Sequence, residues 1–275
     1  LAGARYCGRV RPQRGQVMAV HDFNAQRLWL DAPLAADGEV ALSREQSNYL
    51  RNVLRLADGA GIHVFNGHDG EWRARLSVRG KRDCALQLEC QTRPQTPASG
   101  LIYMFAPLKR ARLDYMVQKA VEMGAGQLWP VLTRRTVAER VNLERMRANA
   151  IEAAEQCGIL SVPMIKAPQP LAVAIETWPH GTPLIFCDER AKISNPVAAL
   201  EAVKSADSAA PSAEKYQRPI GMLIGPEGGF DADERALLRA KPFVTALSLG
   251  PRIMRADTAA VAALAVVNAV LGDWQ

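Results

Sequence analysis

Two glycine-rich turns carry the residues best suited to chemistry in this sequence. The stretches "LIGPEGGF", residues 223–230, and "LSLGPRIMRADTAA", residues 247–260, both include an apolar run that predicts a strand end. Glycine permits positive φ angles and close approach of the backbone, so such turns leave amide and carbonyl groups free to bind a planar ligand. A single turn of this kind would most simply be a connection. Two of them, with Arg252 and Arg255 following the second, favour a ligand site.

Several familiar kinds of site are excluded by their spacing. The sequence has no G-x-x-x-x-G-K-[ST] phosphate loop and no G-x-S-x-G nucleophile turn. Its four histidines lack metal-ligand spacing, so no metal is expected. Five widely spaced cysteines without a C-x-x-C pair fit a cytoplasmic location. No apolar segment reaches the length of a membrane span, so no membrane partner is expected.

Alternating strands and helices from residue 101 onward predict how the turns are positioned. Apolar runs such as "LIYMFAP" alternate with helices such as "RLDYMVQKAVEMGAG", which predicts a mostly parallel sheet covered on both faces. Ligands bind beyond the carboxyl ends of strands in such sheets. Three segments end in this way: "LIFCDER" at Asp188 and Glu189, "GMLIGPEGGF" in its turn, and "ALSLGPRIMRADTA" before a helix. Asp257 or Thr258 is the predicted cap of that helix. Elsewhere in this region, residues 201–219 have few bulky side chains and are predicted to be a surface insertion.

Residues 27 to about 90 predict a small β-barrel with one helix. Alternating residues in "GIHVFNGHDGEWRARLSV" flank Asn-Gly and Asp-Gly pairs, which indicates a hairpin. The stretch "SREQSNYLRNVLRLADG" predicts a helix with Ser43 as its cap and with Leu50 and Val53 on its apolar side. The predicted organisation is a basic, disordered extension over residues 1–26, a barrel over 27–91, a linker over 92–100 and an α/β domain over 101–275.

The same residues resemble a known family. "IGPEGGF" followed by "LSLGPRIMRADTAA" is similar to the paired signature of the RsmE-type 16S rRNA (uracil-N3)-methyltransferases, in the SPOUT class of knotted methyltransferases. "LDYMVQKAVEMGAGQLWPVLTRRT", "EAAEQCG" and "YLRNVLRLADGAGIHVFNG" resemble further segments of the family, the last of them in its PUA-like domain. The likeness covers roughly Arg27 to the C-terminus. The chain departs from the family at Asp257, where a glutamate is usual, and at Ile159, near which an arginine is usual.

This resemblance implies an α/β fold with an N-terminal PUA-like β-barrel and a C-terminal SPOUT domain, which has a mostly parallel sheet and a deep trefoil knot. It also implies a homodimer that uses S-adenosylmethionine to methylate N3 of uracil 1498 in 16S rRNA, either naked or within the small ribosomal subunit. The cofactor-binding residues that it implies, in the three strand-end loops, are Leu184, Phe186, Ile224, Gly225, Pro226, Glu227, Gly228, Leu249, Gly250, Ile253, Met254, Arg255 and Thr258.

Methylation of uracil N3 requires the loss of a proton and the stabilisation of negative charge on the ring. An arginine can stabilise that charge, and Arg255 is the first candidate and Arg252 the second. Asp257 or Glu227 could accept the proton. Asp257 could equally be a simple helix cap, and Glu227 could instead bond within its own turn.

A net charge of +6 and a pI of about 9.2 favour a polyanionic partner, with RNA first. Two other functions stay open at this point: a SPOUT methyltransferase that acts on tRNA, and a non-catalytic RNA-binding protein of ribosome assembly. Each candidate cation could equally belong to a solvated face. The cations predicted to contact RNA phosphates are Arg51, Arg55, Lys109, Arg110, Arg112, Arg134 and Arg135.

Overall fold

The computed structural model describes residues 25–80, 83–138, 140–192, 195–206 and 218–274. The chain divides into two compact units. Of the described residues, the first unit contains those up to Pro97 together with Ala154–Ser161, and the second contains those of Ala98–Ala153 and those from Val162 onward. The predicted extension over residues 1–26 lies outside the described residues except for its last two positions, so it stays a prediction.

The first unit is built on a five-stranded sheet. Its strands are β1 Arg27–Trp29, β2 Glu39–Ala41, β3 Gly61–Phe65, β4 Glu71–Val78 and β5 Cys84–Arg93. The strand order is β1-β3-β4-β5-β2, with β1 parallel to β3 and the other neighbours antiparallel. The predicted hairpin joins β3 to β4, where the Asn66 side-chain oxygen accepts hydrogen bonds from the backbone N–H groups of His68 and Asp69. These strands match the β-rich N-terminal region that the alternation of residues predicts.

The helix of the first unit is shorter than predicted. Helix α1 spans Arg44–Asn48, and its cap is Ser43, which forms a reciprocal capping box with Gln46. A π-helical turn over Tyr49–Val53 follows directly. Because a π turn contains more residues than an α turn, it rotates later side chains away from the apolar face. Leu50 is buried as predicted, but Val53 is 61% exposed, so its predicted place on the apolar side is wrong.

A buried ion cluster stabilises this unit from within. Glu71 accepts hydrogen bonds from Arg27 Nε at 2.9 Å and from Arg93 at 2.7 Å, and all three side chains are almost entirely enclosed. Burial opposes ionisation of Glu71, but hydrogen bonds with His63 and Arg93 hold the pKa of its carboxyl well below the ordinary value. Arg93 also donates to the Gly158 carbonyl at 2.9 Å. The cluster therefore ties the segment after residue 153 to the sheet of the same unit.

The second unit is a parallel sheet with helices between its strands. The strands are β6 Leu101–Phe105, β7 Gln127–Leu132, β8 Met164–Ile165, β9 Gln169–Pro170, β10 Leu184–Cys187, β11 Ile220–Ile224 and β12 Val244–Leu247. The helices are α2 Arg110–Glu122, α3 Leu143–Cys157, α4 Leu171–Glu176, α5 Pro196–Ala206, α6 Ala232–Arg239 and α7 Ala256–Val270. The strand order is β12-β10-β11-β6-β7-β8, with β9 beside β7, and every pairing is parallel. The predicted parallel α/β fold is confirmed.

The sequence patterns located the larger elements of this unit and missed smaller ones. Helix α2 ends before Gly124, which has a φ of 80°. The short strands β8 and β9 and the helices α4 and α5 were not predicted. Residues 201–206 belong to α5, and the side chains of Glu201, Ala202 and Ser205 are exposed, which agrees with a surface position; that the segment is an insertion stays a prediction. Residues 207–217 lie outside the described residues. The predicted apolar side of α2 is buried and consists of Leu113, Met116, Val117, Ala120 and Val121.

Candidate active site

The loops after β10, β11 and β12 line a cavity of about 290 Å³. These strands are neighbours in the parallel sheet, so their carboxyl ends lie side by side. This is the position at which open α/β sheets bind ligands. The lining residues are Cys187, Asp188, Glu189, Ile224, Gly225, Pro226, Glu227, Gly228, Gly229, Phe230, Ser248, Leu249, Gly250, Arg252, Ile253, Met254, Ala256 and Ala259.

Close packing against an aromatic ring fixes the loop after β11. A Cβ atom added at Gly225 would lie only 2.4 Å from the ring of Phe230. Phe230 is buried and meets Phe186 edge to face, with the ring centroids 4.9 Å apart. The ring could therefore move only by losing this packing. A side chain at position 225 would have to displace either the ring or the loop, so the contact favours glycine there.

The loop after β12 leads into the first turn of α7. Gly250 adopts a φ of 105°, which a residue with a side chain rarely adopts. Arg255 occupies the N-cap position, and its side chain makes no capping hydrogen bond. The prediction that Asp257 or Thr258 caps α7 is wrong, because the helix begins at Ala256 and both residues lie within its first turn. The Asp257 carboxylate instead accepts a hydrogen bond from the Thr258 N–H at 2.8 Å.

A buried ion network joins the loop after β10 to α6. Asp188 accepts hydrogen bonds from Arg235 Nε at 3.1 Å, from Arg239 at 2.6 Å and from a backbone N–H of its own loop at 3.0 Å. Burial opposes ionisation of Asp188, but these hydrogen bonds keep the pKa of its carboxyl below the ordinary value. Arg235 also donates to Glu189 Oε1 at 2.5 Å and to the Phe230 carbonyl. A single guanidinium therefore contacts two of the three loops that line the cavity.

Two of the cations predicted to bind RNA make contacts within the protein. Arg134 pairs with Asp231 and Asp233, both at 2.7 Å, and Asp231 is the N-cap of α6. Arg135 donates to the Gly228 carbonyl at 2.7 Å. Both arginines follow β7, so this segment supports the loop after β11. Binding of a phosphate by either side chain would compete with these contacts.

Arg112 and Glu227 form an ion pair at the rim of the cavity. Arg112 lies in the first turn of α2, and Glu227 lies in the "GPEGGF" loop. Both side chains are close to half exposed. One of the two predicted proton acceptors and one predicted phosphate ligand are therefore paired with each other. A polyanion that binds Arg112 would separate the pair.

The structure brings most of the predicted cofactor residues together. Nine of them line the cavity: Ile224, Gly225, Pro226, Glu227, Gly228, Leu249, Gly250, Ile253 and Met254. Leu184 and Phe186 are instead fully buried in the hydrophobic core of the unit, because they lie inside β10 rather than beyond its end. Arg255 and Thr258 are exposed and do not line the cavity, whereas Arg252 does.

The cations that remain have exposed positions. Arg51 and Arg55 are exposed on the first unit, and Lys109 and Arg110 are exposed at the start of α2. Asp188 and Glu189, which the sequence placed at the end of a strand but which were not among the predicted cofactor residues, also line the cavity. Their signal was visible in "LIFCDER", where two carboxylates follow a buried strand at the edge that binds ligands.

Cys187 contributes the thiol among the residues that line the cavity, and this thiol is unreactive. Burial raises the pKa of Cys187 to about 12, so the thiol stays protonated near neutral pH. Burial also raises the pKa of the Tyr103 phenol well above its ordinary value. Among the described residues, no group of three or more His, Cys, Asp or Glu side chains could hold a metal ion. The chemistry that the site offers is therefore binding by backbone groups, carboxylates and arginines.

Comparisons with known proteins agree with this geometry. A family model described as "RNA methyltransferase domain" matches residues 95–268, and one described as "RNA methyltransferase PUA domain" matches residues 42–89. The ribosomal RNA small subunit methyltransferase E of Rickettsia conorii is 30% identical over 245 residues, which cover 88% of this chain and 94% of the relative. The protein of the same name from Synechocystis sp. is 31% identical, and the match covers 90% of this chain and 78% of the relative.

The fold has a close counterpart among solved structures. The crystal structure of a ribosomal RNA small subunit methyltransferase E from Neisseria gonorrhoeae, bound to S-adenosyl methionine, superposes with a TM-score of 0.76 at 25% identity. The match covers 91% of this chain and all of the other. The paired glycine loops, the N-terminal PUA match and these relatives lead to one conclusion: the chain belongs to the RNA methyltransferase family of ribosomal RNA small subunit methyltransferase E and is an enzyme of that class.

Proposed function

We propose that this protein transfers a methyl group from S-adenosylmethionine to N3 of a specific uridine in 16S rRNA. The observation that carries this proposal is the cavity at the ends of β10, β11 and β12, where the two glycine-rich loops of the family signature meet. Names of relatives that share 30–31% identity over nearly the whole chain support the choice of rRNA. A uridine at the family position, uracil 1498, is the expected target.

The residues of the cavity fit S-adenosylmethionine. Apolar side chains such as Ile224 and Leu249 suit a flat base, and the glycine loops leave backbone groups exposed for hydrogen bonds. The carboxylates of Glu189 and Glu227 offset the positive charge of a sulfonium ion. When bound, the cofactor supplies an electrophilic methyl group. The protein's own part is to position the uracil against it and to manage charge on the ring.

Arginine at the end of the β12 loop stabilises the negative charge that develops on the uracil. Arg252 lines the cavity, and the exposed Arg255 stands at the N-cap of α7 where RNA can reach it. Glu227 lines the cavity, whereas Asp257 does not, so Glu227 is the better placed of the two proposed proton acceptors. Separation of Glu227 from Arg112 by a bound phosphate would free the carboxylate for this role.

Kinetics and binding together test these roles. Arg255→Ala and Arg252→Ala should each reduce methyl transfer by ~100-fold or more, the usual effect of removing a charge-stabilising donor. Both variants should still bind S-adenosylhomocysteine when binding is measured by calorimetry. Lys192→Ala removes an exposed cation outside the cavity and is the matched control. Full activity in Arg255→Ala would refute the first assignment, and an unchanged pH profile in Glu227→Gln would refute Glu227 as the proton acceptor.

The RNA substrate is tested by offering labelled S-adenosylmethionine with naked 16S rRNA, small ribosomal subunits or tRNA. We expect label in 16S rRNA, and mass mapping should locate it at N3 of one uridine. Label in tRNA alone would overturn the proposed substrate. Binding of cofactor and rRNA without transfer to any substrate would favour the non-catalytic role in ribosome assembly.

We also propose that the enzyme works as a homodimer in the cytoplasm. Ile253 lines the cavity and is 97% exposed, an unusual position for a large apolar side chain, and a second copy would cover it. Helix α7, which follows this loop, is rich in alanine and suits close packing. No described helix has the length and apolar character needed to cross a membrane. Sedimentation of the wild type and of Ile253→Asp tests the assembly, and a monomeric wild type would overturn it.

A further inference from the structure

Glu189 is the acidic residue of the cavity that is both held in place and able to accept a further hydrogen bond. Its Oε1 atom is bonded to Arg235 at 2.5 Å. Its side chain is 53% exposed and lines the cavity. Among the described residues, no group donates a hydrogen bond to Glu189 Oε2. The carboxylate therefore presents one oriented, unused acceptor to whatever occupies the cavity.

The neighbouring carboxylate cannot take this part. Asp188 is buried, and both of its oxygens are in use: Oδ1 bonds Arg235 and a backbone N–H, and Oδ2 bonds Arg239. Among the residues that the structure describes, Glu227 pairs with Arg112 through one oxygen, in an exposed pair that side-chain motion and solvent weaken. Glu189 differs because its partner Arg235 is buried and anchored by two further contacts.

Gly229 allows this arrangement. A Cβ atom at Gly229 would lie 3.0 Å from Glu189 Oε1 and 3.4 Å from the Arg235 guanidinium, and the glycine has a φ of 68°. The loop after β11 therefore passes directly against the pair that orients Glu189. Two loops and one helix converge on this carboxylate, although within the described part of the chain only its Oε1 atom is hydrogen-bonded.

We propose that Glu189, oriented by Arg235, accepts the hydrogen bonds of the ribose hydroxyls of S-adenosylmethionine. A carboxylate just beyond a parallel strand is well suited to vicinal hydroxyls, because it can accept from both and the hydroxyls need a charged acceptor to replace water. Arg235 is a positioning residue in this scheme, since it acts through Glu189. The inference rests on the proposed cofactor and adds the residue that recognises its sugar.

Calorimetry tests the inference without activity as a readout. S-adenosylhomocysteine and its 2′-deoxy and 3′-deoxy analogues are titrated into the wild type and into Glu189→Ala. A hydrogen bond to a charged group predicts that the wild type loses about 10- to 100-fold in affinity for at least one deoxy analogue. Glu189→Ala should bind all three ligands with similar affinity. Because Glu189 is half exposed, this variant should fold normally.

The role of Arg235 is tested against a matched residue on the same helix. Arg235→Lys keeps a cation beside Asp188 but loses the rigid planar fork that holds Asp188 and Glu189 in one geometry, so it should lose most of the discrimination between ribose and deoxyribose ligands. Arg239→Lys alters the same buried Asp188 without touching Glu189, and it should keep that discrimination. Equal loss in both variants would overturn the positioning role and indicate a general effect on the loop.

Two different failures can be told apart. If the wild type does not bind S-adenosylhomocysteine, the proposed function falls, and this inference falls with it. If the wild type binds and discriminates but Glu189→Ala discriminates equally well, the assignment of Glu189 is overturned while the proposed function stands. The same holds if the wild type binds all three ligands equally.

Discussion

Adding one methyl group at Gly225 tests whether the loop after β11 owes its position to the ring behind it. In Gly225→Ala the new Cβ would meet Phe230 ring atoms at 2.4, 2.8 and 3.0 Å. The ring is buried and packs edge to face on Phe186, so it can yield only by losing that packing. Overpacking of this kind costs about 1–3 kcal/mol. In a chain of this size, that corresponds to a fall in the melting temperature of roughly 2–10 °C.

The same strain should appear in ligand binding. If the loop relieves the clash by moving into the cavity, a ligand must return the loop to its original position when it binds. That step costs up to ~3 kcal/mol, which is up to about a 150-fold loss of affinity. Thermal unfolding and calorimetry with S-adenosylhomocysteine would measure the two parts. A smaller side chain at position 230 should relieve the strain, so Phe230→Leu and Gly225→Ala should be less damaging together than their separate effects predict.

Gly228 in the same loop provides the control. A Cβ there would lie 3.3 Å from Arg135 Cδ, on an exposed and flexible side chain that can shift. Gly228→Ala should therefore change the melting temperature and the affinity only slightly. The reasoning would be refuted if Gly225→Ala were harmless, or if Gly228→Ala were as damaging as Gly225→Ala.

Three further predictions concern charges and thiols. The folded pKa of Glu71 lies below its ordinary value, so the stability it contributes is present above about pH 5 and is lost as the pH falls. Chemical denaturation of Glu71→Gln should therefore show lower stability at pH 7, by ~3–5 kcal/mol, and a weaker loss of stability in acid than the wild type. Parallel curves of stability against pH for the two proteins would contradict this. Arg112→Ala breaks an exposed ion pair with Glu227 that is worth at most ~1 kcal/mol, so the melting temperature of the variant should hardly change. The slope of the logarithm of rRNA affinity against the logarithm of salt concentration should become smaller by about one. An unchanged slope would show that Arg112 does not contact the RNA. Because burial keeps Cys187 protonated, alkylation of this thiol should be far slower at pH 8 than that of the exposed Cys157, and equal rates would show that the cavity opens.

Sequence reasoning located the cavity because its signals are local. Glycines at 225, 228 and 250 follow strands whose apolar runs are plain, and the carboxyl ends of parallel strands meet at one edge of a sheet. Leu184 and Phe186, two predicted cofactor residues that do not line the cavity, belong to a strand that is largely buried in the core. In such a strand apolar and polar residues do not alternate, so the sequence cannot distinguish residues of the core from residues that line the cavity.

The supporting contacts could not be predicted for a different reason. Arg235 and Arg239 resemble the solvated face of an amphipathic helix, yet they bond Asp188 in a distant loop. Arg134 resembles a phosphate ligand but pairs with the first turn of α6. Sequence spacing contains no information about such partners, because they depend on how strands far apart in the chain are ordered in the sheet. The trefoil knot that the resemblance implies stays a prediction.

The way the chain is divided between the two units has a practical consequence for dissecting this protein. Residues 154–161 return to the first unit, where Glu155 accepts the Trp29 N–H and the Gly158 carbonyl accepts from Arg93. A fragment that stops at Pro97 would lack these partners and leave a backbone donor and a buried guanidinium short of acceptors. The N-terminal unit is therefore not a portable module. Exchanging it between relatives requires two separate pieces of sequence to be moved together.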